Sequence, residues 1–163
     1  MYRRGALVTG GTRGIGFAAG LELARRDLDV VVVGSSHESV ESAKSKAAGS
    51  GVTFDGYACD ITDPSAVLAL RDQLTGTHQI ETLVNSAGVM SERTAKTLRA
   101  TPEEWRRVLS INLDAPFYFI NAFAPAMVES RNGRVINVSA CLGRFTGPAT
   151  PVGSPLIAFL NRA

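Results

Sequence analysis

Ala6-Leu7-Val8-Thr9-Gly10-Gly11-Thr12-Arg13-Gly14-Ile15-Gly16 is the stretch whose reading decides the fold. Apolar residues run into a cluster of glycines, which reads as a buried strand, a tight turn and the mouth of a helix. A turn this tight needs residues free to take positive φ. Missing side chains let the backbone approach a ligand, and the last glycine lets the helix pack close to the strand. The helix mouth adds unpaired N–H groups and the positive end of a dipole. Together these features build a diphosphate site. A glycine cluster alone is weak evidence, but one placed after a strand near the start of the chain and before a helix is strong. Gly10, Thr12, Arg13, Gly14, Ile15 and Gly16 are therefore nucleotide-binding candidates.

Outward from this turn, the chain alternates strand and helix. Strands are expected at Gly5–Thr9, Val30–Gly34, Val52–Ala58, Ile80–Asn85 and Arg134–Val138. Val30-Val31-Val32-Val33 is apolar without alternation, which suits a parallel sheet covered on both faces. Helices are expected at Gly14–Arg26, Glu38–Ala48, Pro64–Leu74 and Pro102–Ser130. Asp63 before Pro64 is an N-cap followed by a first-turn proline, and Thr101-Pro102-Glu103-Glu104 is a capping box. The pattern predicts an α/β fold: a Rossmann-like doubly wound parallel sheet in strand order 3-2-1-4-5, with the glycine turn at the topological switch point. We expect one domain over residues 1–163. The last helix is apolar on two sides. Trp105, Leu109, Leu113, Phe117, Ile120 and Met127 form one stripe, and Val108, Ile111, Ala115, Phe119, Ala122, Phe123 and Ala126 form the other. One stripe should cover the sheet, and the second should meet a following helix or a partner subunit.

The composition bounds the function. The chain has 163 residues, 45% hydrophobic and 20% charged, with a net charge of +2. These values suit a globular domain with a sizeable core. Interspersed charges argue against nucleic acid, which calls for a clustered basic face. The start of the chain does not read as a secretory signal. The longest apolar stretch, from Ala115 to Met127, is broken by Pro116, Asn121 and Pro125 and is too short for a bilayer, so a cytoplasmic protein is expected. Cys59 and Cys141 have neither CxxC spacing nor a nearby histidine, so no metal site is expected. In the expected strand order they fall at opposite edges, too far apart for a disulfide.

The end of the second strand chooses between NAD and NADP. An acid there accepts hydrogen bonds from the ribose 2′-OH and repels a 2′-phosphate. This chain reads Val33-Gly34-Ser35-Ser36-His37, with no acid. Arg13 in the turn can face a 2′-phosphate, and Ser35 and Ser36 offer hydroxyls, so NADP(H) is favoured over NAD(H). The plainer alternatives are a solvated loop charge for Arg13 and an exposed helix-start residue for His37.

The glycine turn, Asn85-Ser86-Ala87-Gly88, Asn112 and Val135-Ile136-Asn137-Val138-Ser139 occur in order, and with them the chain resembles the short-chain dehydrogenase/reductase family. The resemblance runs from residue 5 to about 140. It implies a nicotinamide dinucleotide cofactor and hydride transfer to carbonyls or from alcohols. By that resemblance Asp60, followed by Ile61, would contact the adenine, Asn85 would lie by the adenosine ribose, and Ala87 and Gly88 would lie along the cofactor. Asn112 would match the asparagine of the family's proton relay; its plainer role is a helix-interior amide bonded to the backbone, and the two are compatible. The helix from Pro102 would help form a dimer, so a homo-oligomer is expected.

The departures from the family concern chemistry. The family has two serines after the fifth strand, the second catalytic; here the pair is Ser139-Ala140. For the downstream Tyr-x-x-x-Lys, the best register puts Ile157 at the tyrosine and Asn161 at the lysine. Another register puts Gly153 and Ile157 there. Tyr118 and Lys96 are the last residues of their types. A positioned acid contributes about 10²–10⁴ in rate, and an oxyanion donor roughly another 10²–10³. Of the catalytic candidates only Asn112 and Ser139 remain, and neither replaces a phenol. Three readings stand at this point: altered redox activity with another acid or water, NADP(H) binding without turnover, and a truncated product of a longer reductase lacking the later strands. Gly143 to Gly153 reads as a flexible loop over the nicotinamide side, and Arg134–Val138 as a sheet edge prone to pairing.

Overall fold

The computed structural model describes residues 3–90 and 101–139. Five parallel strands form one sheet in the order β3-β2-β1-β4-β5. They are β1 (Arg3–Thr9), β2 (Asp29–Gly34), β3 (Phe54–Ala58), β4 (His78–Asn85) and β5 (Arg134–Asn137). The helices are α1 (Gly14–Ala24), α2 (His37–Gly49), α3 (Pro64–Leu74), α4 (Pro102–Leu109) and α5 (Ala115–Ser130). This is the expected doubly wound sheet, and β5 is its edge among the described residues.

Alternation of side chains along the strands divides the core in two. Ala6, Val8, Val30, Val32 and Val84 face one way and pack with Phe17 and Leu21 of α1 and Ala47 of α2. Leu7, Val31, Val33 and Leu83 face the other way, under Val67, Leu70 and Leu74 of α3 and Phe119, Phe123 and Met127 of α5. β1 and β2 are buried on both faces, which is why their sequences do not alternate. Helices joining β1 to β2 and β2 to β3 lie on one face, and those leading to β4 and β5 on the other, as right-handed crossovers demand. β1 therefore has β2 on one side and β4 on the other, with a crevice at their carboxyl ends.

The helix starts follow their sequence signals. Asp63 Oδ1 accepts the Ser65 N–H at 2.8 Å, and Thr101 Oγ1 accepts the Glu104 N–H at 3.2 Å. Two expectations are corrected. β3 begins at Phe54 rather than Val52, because Gly51 turns with φ +78° and the Val52 N–H bonds back to the Ala47 carbonyl. The helix expected over Pro102–Ser130 is interrupted by a π turn at Ser110–Asp114. Pro116 has no N–H to return to the carbonyl of Asn112, so the regular α pattern cannot run through this segment.

The two stripes part as their chemistry requires. Val108, Ala115, Phe119, Ala122 and Phe123 are buried, joined by Met127 from the other stripe. Trp105 and Phe117 are exposed.

Candidate functional site

The crevice is built on the glycine turn. Gly10 has φ +65°, and a Cβ there would stand 2.8 Å from the Ala87 backbone. The turn and the Asn85–Gly88 segment therefore meet backbone to backbone. Thr9 fixes the meeting, because its buried Oγ1 accepts the N–H groups of both Ser86 and Ala87 at 3.2 Å. Gly14 has φ +56°, and a Cβ there would find nothing within 4 Å, so its backbone faces open space. At Gly16 a Cβ would lie 2.5 Å from the Gly10 carbonyl oxygen, which brings α1 tight against the turn.

The mouth of α1 differs from those of α2, α3 and α4, while α5, which also lacks a side-chain cap, runs straight on from the π turn. Ser36, Asp63 and Thr101 cap α2, α3 and α4 with side-chain oxygens. Arg13 precedes α1 in an extended conformation with no side-chain cap, and no acid stands in the first turn. The first-turn N–H groups lack intrahelical partners by construction. An open helix mouth behind a glycine whose missing Cβ leaves a cradle fits a diphosphate.

A cavity of about 910 Å³ runs along the carboxyl ends of the strands. Its walls bring together Gly10, Thr12, Arg13, Gly14 and Ile15 from the turn, Ser35 from the end of β2, and Asp60 and Ile61 after β3. Ala87 and Gly88 close the far side. Three of the nucleotide-binding candidates are absent from this lining. Gly16 is buried beneath the turn. The Ser36 hydroxyl accepts the Ser39 N–H at 3.2 Å as the α2 cap. Asn85 lines a second cavity of about 340 Å³ with Asn112 and Ser139. His37 is exposed at the first position of α2.

Electrostatics within the larger cavity are local. Asp60 Oδ1 accepts the Thr62 hydroxyl at 2.7 Å and the Thr62 N–H at 2.9 Å. These bonds, the hydroxyl first, hold its carboxyl below the usual carboxylate range. Burial pushes the Cys59 thiol up, and the charges of Asp60 and Asp63 add to the shift. Cys59 is a free, half-buried thiol in the wall.

In the smaller cavity the asparagines serve the scaffold. Asn112 Oδ1 accepts the Val89 N–H at 2.9 Å, and its Nδ2 donates to the Val89 carbonyl at 2.8 Å. The amide thus clamps the chain after β4 onto the π turn. Asn85 Nδ2 donates to Asn137 Oδ1 at 2.9 Å, and the Asn85 carbonyl accepts the Val138 N–H at 2.9 Å. Asn85 Oδ1 is buried with no partner among the described residues. Ser139 is exposed at the end of β5. Ala140, Cys141, Gly153, Ile157, Asn161 and the loop from Gly143 lie outside the described residues.

Sequence reasoning passed over two residues of the site. Thr9 reads as the end of a strand, and only its bonds to the segment after β4 reveal its part. Ser86 lines both cavities; in the sequence it is visible only as part of Asn85-Ser86-Ala87-Gly88.

Comparisons with known proteins agree with this geometry. Residues 4–154 match the family described as short chain dehydrogenase. A 3-oxoacyl-[acyl-carrier-protein] reductase of Thermotoga maritima is 31% identical over 143 residues, which are 87% of this chain and 57% of that protein. D-threitol dehydrogenase of Mycolicibacterium smegmatis is 32% identical over 136 residues, 83% of this chain and 52% of that protein. The chain thus spans a little over half the length of these relatives. Among solved structures, a metagenomic short-chain oxidoreductase in complex with NADP superposes with a TM-score of 0.89 at 29% identity, covering 98% of this chain and 72% of that one. An NAD+-bound xylitol dehydrogenase gives 0.88 at 26% identity, covering 96% and 60%. Among the described residues no helix is long and apolar enough to cross a membrane.

Proposed function

The chain belongs to the short-chain dehydrogenase family, and on that premise we propose that it binds a nicotinamide dinucleotide, taking NADP(H) in preference to NAD(H). One observation carries the preference. Arg13 and Ser35 line the same cavity, and Val33-Gly34-Ser35-Ser36-His37 brings no carboxylate to it. A 2′-phosphate there meets a guanidinium and a hydroxyl, with no acid at the end of β2 to oppose it. In this reading the open N–H groups at Gly14 and Ile15 hold the diphosphate, and Asp60 and Ile61 border the adenine. Ala87 and Gly88 form the opposite wall, while Asn85, Asn112 and Ser139 stand on the nicotinamide side. Ser36 contributes by holding the end of β2 through its cap.

The bound cofactor supplies or takes a hydride. The product oxygen also needs a proton; Ala140 follows Ser139, and the two registers of the downstream motif put Ile157 and Asn161, or Gly153 and Ile157, at the family's tyrosine and lysine. The Asn112 amide is already bonded twice to Val89. These residues support nucleotide binding without the family's standard turnover. A second reading, oxidoreductase activity of altered mechanism, is favoured by the reductases and dehydrogenases among the relatives. The proposal extends to a single cytoplasmic domain and to a homo-oligomer joined through α4 and α5, where Trp105 and Phe117 present apolar surface.

Paired titrations with NADPH and NADH, followed by thermal shift and Trp105 fluorescence, test the reading. NADPH should bind more tightly, and Arg13→Ala should weaken it about 10-fold while sparing NADH. Equal or tighter NADH binding overturns the preference; binding of neither overturns the reading. NADPH oxidation measured against a panel of ketones separates the two activities.

A further inference from the structure

We propose that Asn137 is a ligand-contact residue whose side-chain N–H donates to an oxygen of the nicotinamide half of the cofactor; the inference rests on the dinucleotide reading above. Asn137 ends β5 and stands level with Asn85 at the end of β4. The two side chains are joined, Asn85 Nδ2 donating to Asn137 Oδ1 at 2.9 Å. Asn85 is 4% exposed, so this bond ties the Asn137 amide to the interior of the sheet. The reverse pairing would strand the Asn85 NH2 group there, and orphaned amide N–H groups are rarer in folded proteins than under-used carbonyl oxygens. With its oxygen held, Asn137 has its own NH2 group to offer. That group has no hydrogen-bond partner among the described residues. It is not occluded either, because Asn85 Oδ1 is the one buried side-chain atom without a partner among those residues.

The rest of the smaller cavity singles this donor out. Its polar side chains are Asn85, Ser86, Asn112, Asn137 and Ser139. Asn112 spends both ends of its amide on Val89. Ser139 is engaged. The Ser86 hydroxyl lies against the first turn of α1, 3.1 Å from where a Cβ on Gly16 would stand. Asn85 gives its amide to Asn137. Asn137 Nδ2 is thus the side-chain N–H left for a ligand in this cavity. The nicotinamide half of the cofactor carries uncharged oxygen acceptors on its carboxamide and its ribose, and one of them takes the bond. The bond received from Asn85 polarises the Asn137 amide and strengthens it as a donor.

Two variants of the full 163-residue protein test this by calorimetric titration. Asn137→Asp keeps an oxygen for Asn85 Nδ2 and puts a charged oxygen where the NH2 group stood. Asn137→Thr offers Asn85 a hydroxyl oxygen and is too short to reach the cofactor. The probes are NADPH, NADP+ and adenosine 2′,5′-bisphosphate, a half-molecule without the nicotinamide nucleotide. Asn137→Thr should weaken NADPH about 3- to 10-fold, the loss of one hydrogen bond. Asn137→Asp should weaken NADPH at least about 10-fold, because an acceptor now faces an acceptor. Its loss for NADP+ should be at least about 3-fold smaller, because the oxidised ring is a cation. Both variants should bind the half-molecule within about 2-fold of wild type. The thionicotinamide form of NADPH, whose sulfur accepts poorly, identifies the acceptor: a threonine-variant loss that vanishes with it assigns the carboxamide, and one that persists assigns the ribose. Should the aspartate variant fail to fold by circular dichroism, the threonine variant decides. Unchanged NADPH binding in the folded variants overturns the proposal, and so do equal losses for all three ligands, which indicate a structural role alone. Wild-type protein that binds neither NADPH nor the half-molecule overturns the dinucleotide reading and this inference with it.

Discussion

Gly16→Ala adds one methyl group where there is no room. Its carbon would stand 2.5 Å from the Gly10 carbonyl oxygen and 2.9 Å from the carbonyl carbon. Optimal carbon contacts lie near 3.5–4.0 Å, so roughly 1 Å of separation must be found. Both partners are backbone, which means that α1 or the glycine turn has to move. Overpacking of this kind costs about 1–3 kcal/mol, and the helix propensity of alanine returns about 1 kcal/mol. The net loss is about 0–2 kcal/mol, or a fall in Tm of up to roughly 8 °C for a chain of this size. The displaced turn also misaims the N–H groups at the mouth of α1, so NADPH affinity should drop at least about 10-fold. Gly20→Ala is the comparison, being the same change in the same helix. Its Cβ would meet Phe54 Cζ at 3.0 Å, and a side chain can yield where backbone cannot. Its Tm should stay within about 2 °C of wild type, with NADPH binding unaltered. Thermal unfolding and NADPH titration of the three proteins decide the matter. If Gly16→Ala matches wild type in both, or if Gly20→Ala loses as much, the close-packing argument is wrong.

Three further outcomes are expected. Arg131 ends α5 with φ +51° and is exposed; Arg131→Gly should relieve the left-handed strain and raise stability by about 1 kcal/mol in urea unfolding. Asp60 has a folded-state pKa below its unfolded value because Thr62 donates to its carboxylate. The stabilisation is therefore present above the unfolded value and fades as pH falls through the folded one. The gap in stability between wild type and Thr62→Val should hold from neutral pH down to the carboxylate range, then narrow below about pH 4. Phe117 is 58% exposed on the outer side of α5, and Phe117→Glu should shift an oligomer to monomer in size-exclusion chromatography with light scattering; a wild-type monomer counts against the proposed assembly.

Local chemistry made most of the fold legible. Val30 to Val33 needed no tertiary information to declare a strand covered on both faces, and both faces are covered. Thr101 and Asp63 announced their helices because a cap is a contact between near neighbours in sequence. Pro116 marked a break in the long helix, but nothing local showed that the Asn112 amide of the π turn meets Val89, 23 residues away. The residues that line the larger cavity were readable wherever glycine or a missing acid spoke for itself. Asn85 was harder, because its place was inferred from resemblance while its bonds run to Asn137 and Val138 on the neighbouring strand. The alternation of elements made β4 and β5 neighbours, but which side chains meet across them is set by register, which no local pattern encodes.

Thr9 Oγ1 receives two amides from the segment that follows β4. The floor of the crevice is consequently tethered, and prising β1 from β4 at their carboxyl ends stretches both tethers together. Any gate that shuts over a bound molecule must therefore be carried by other parts of the chain, leaving this floor as the stationary anvil. Exchanging Thr9 for valine keeps the shape, cuts both tethers and makes the anvil compliant.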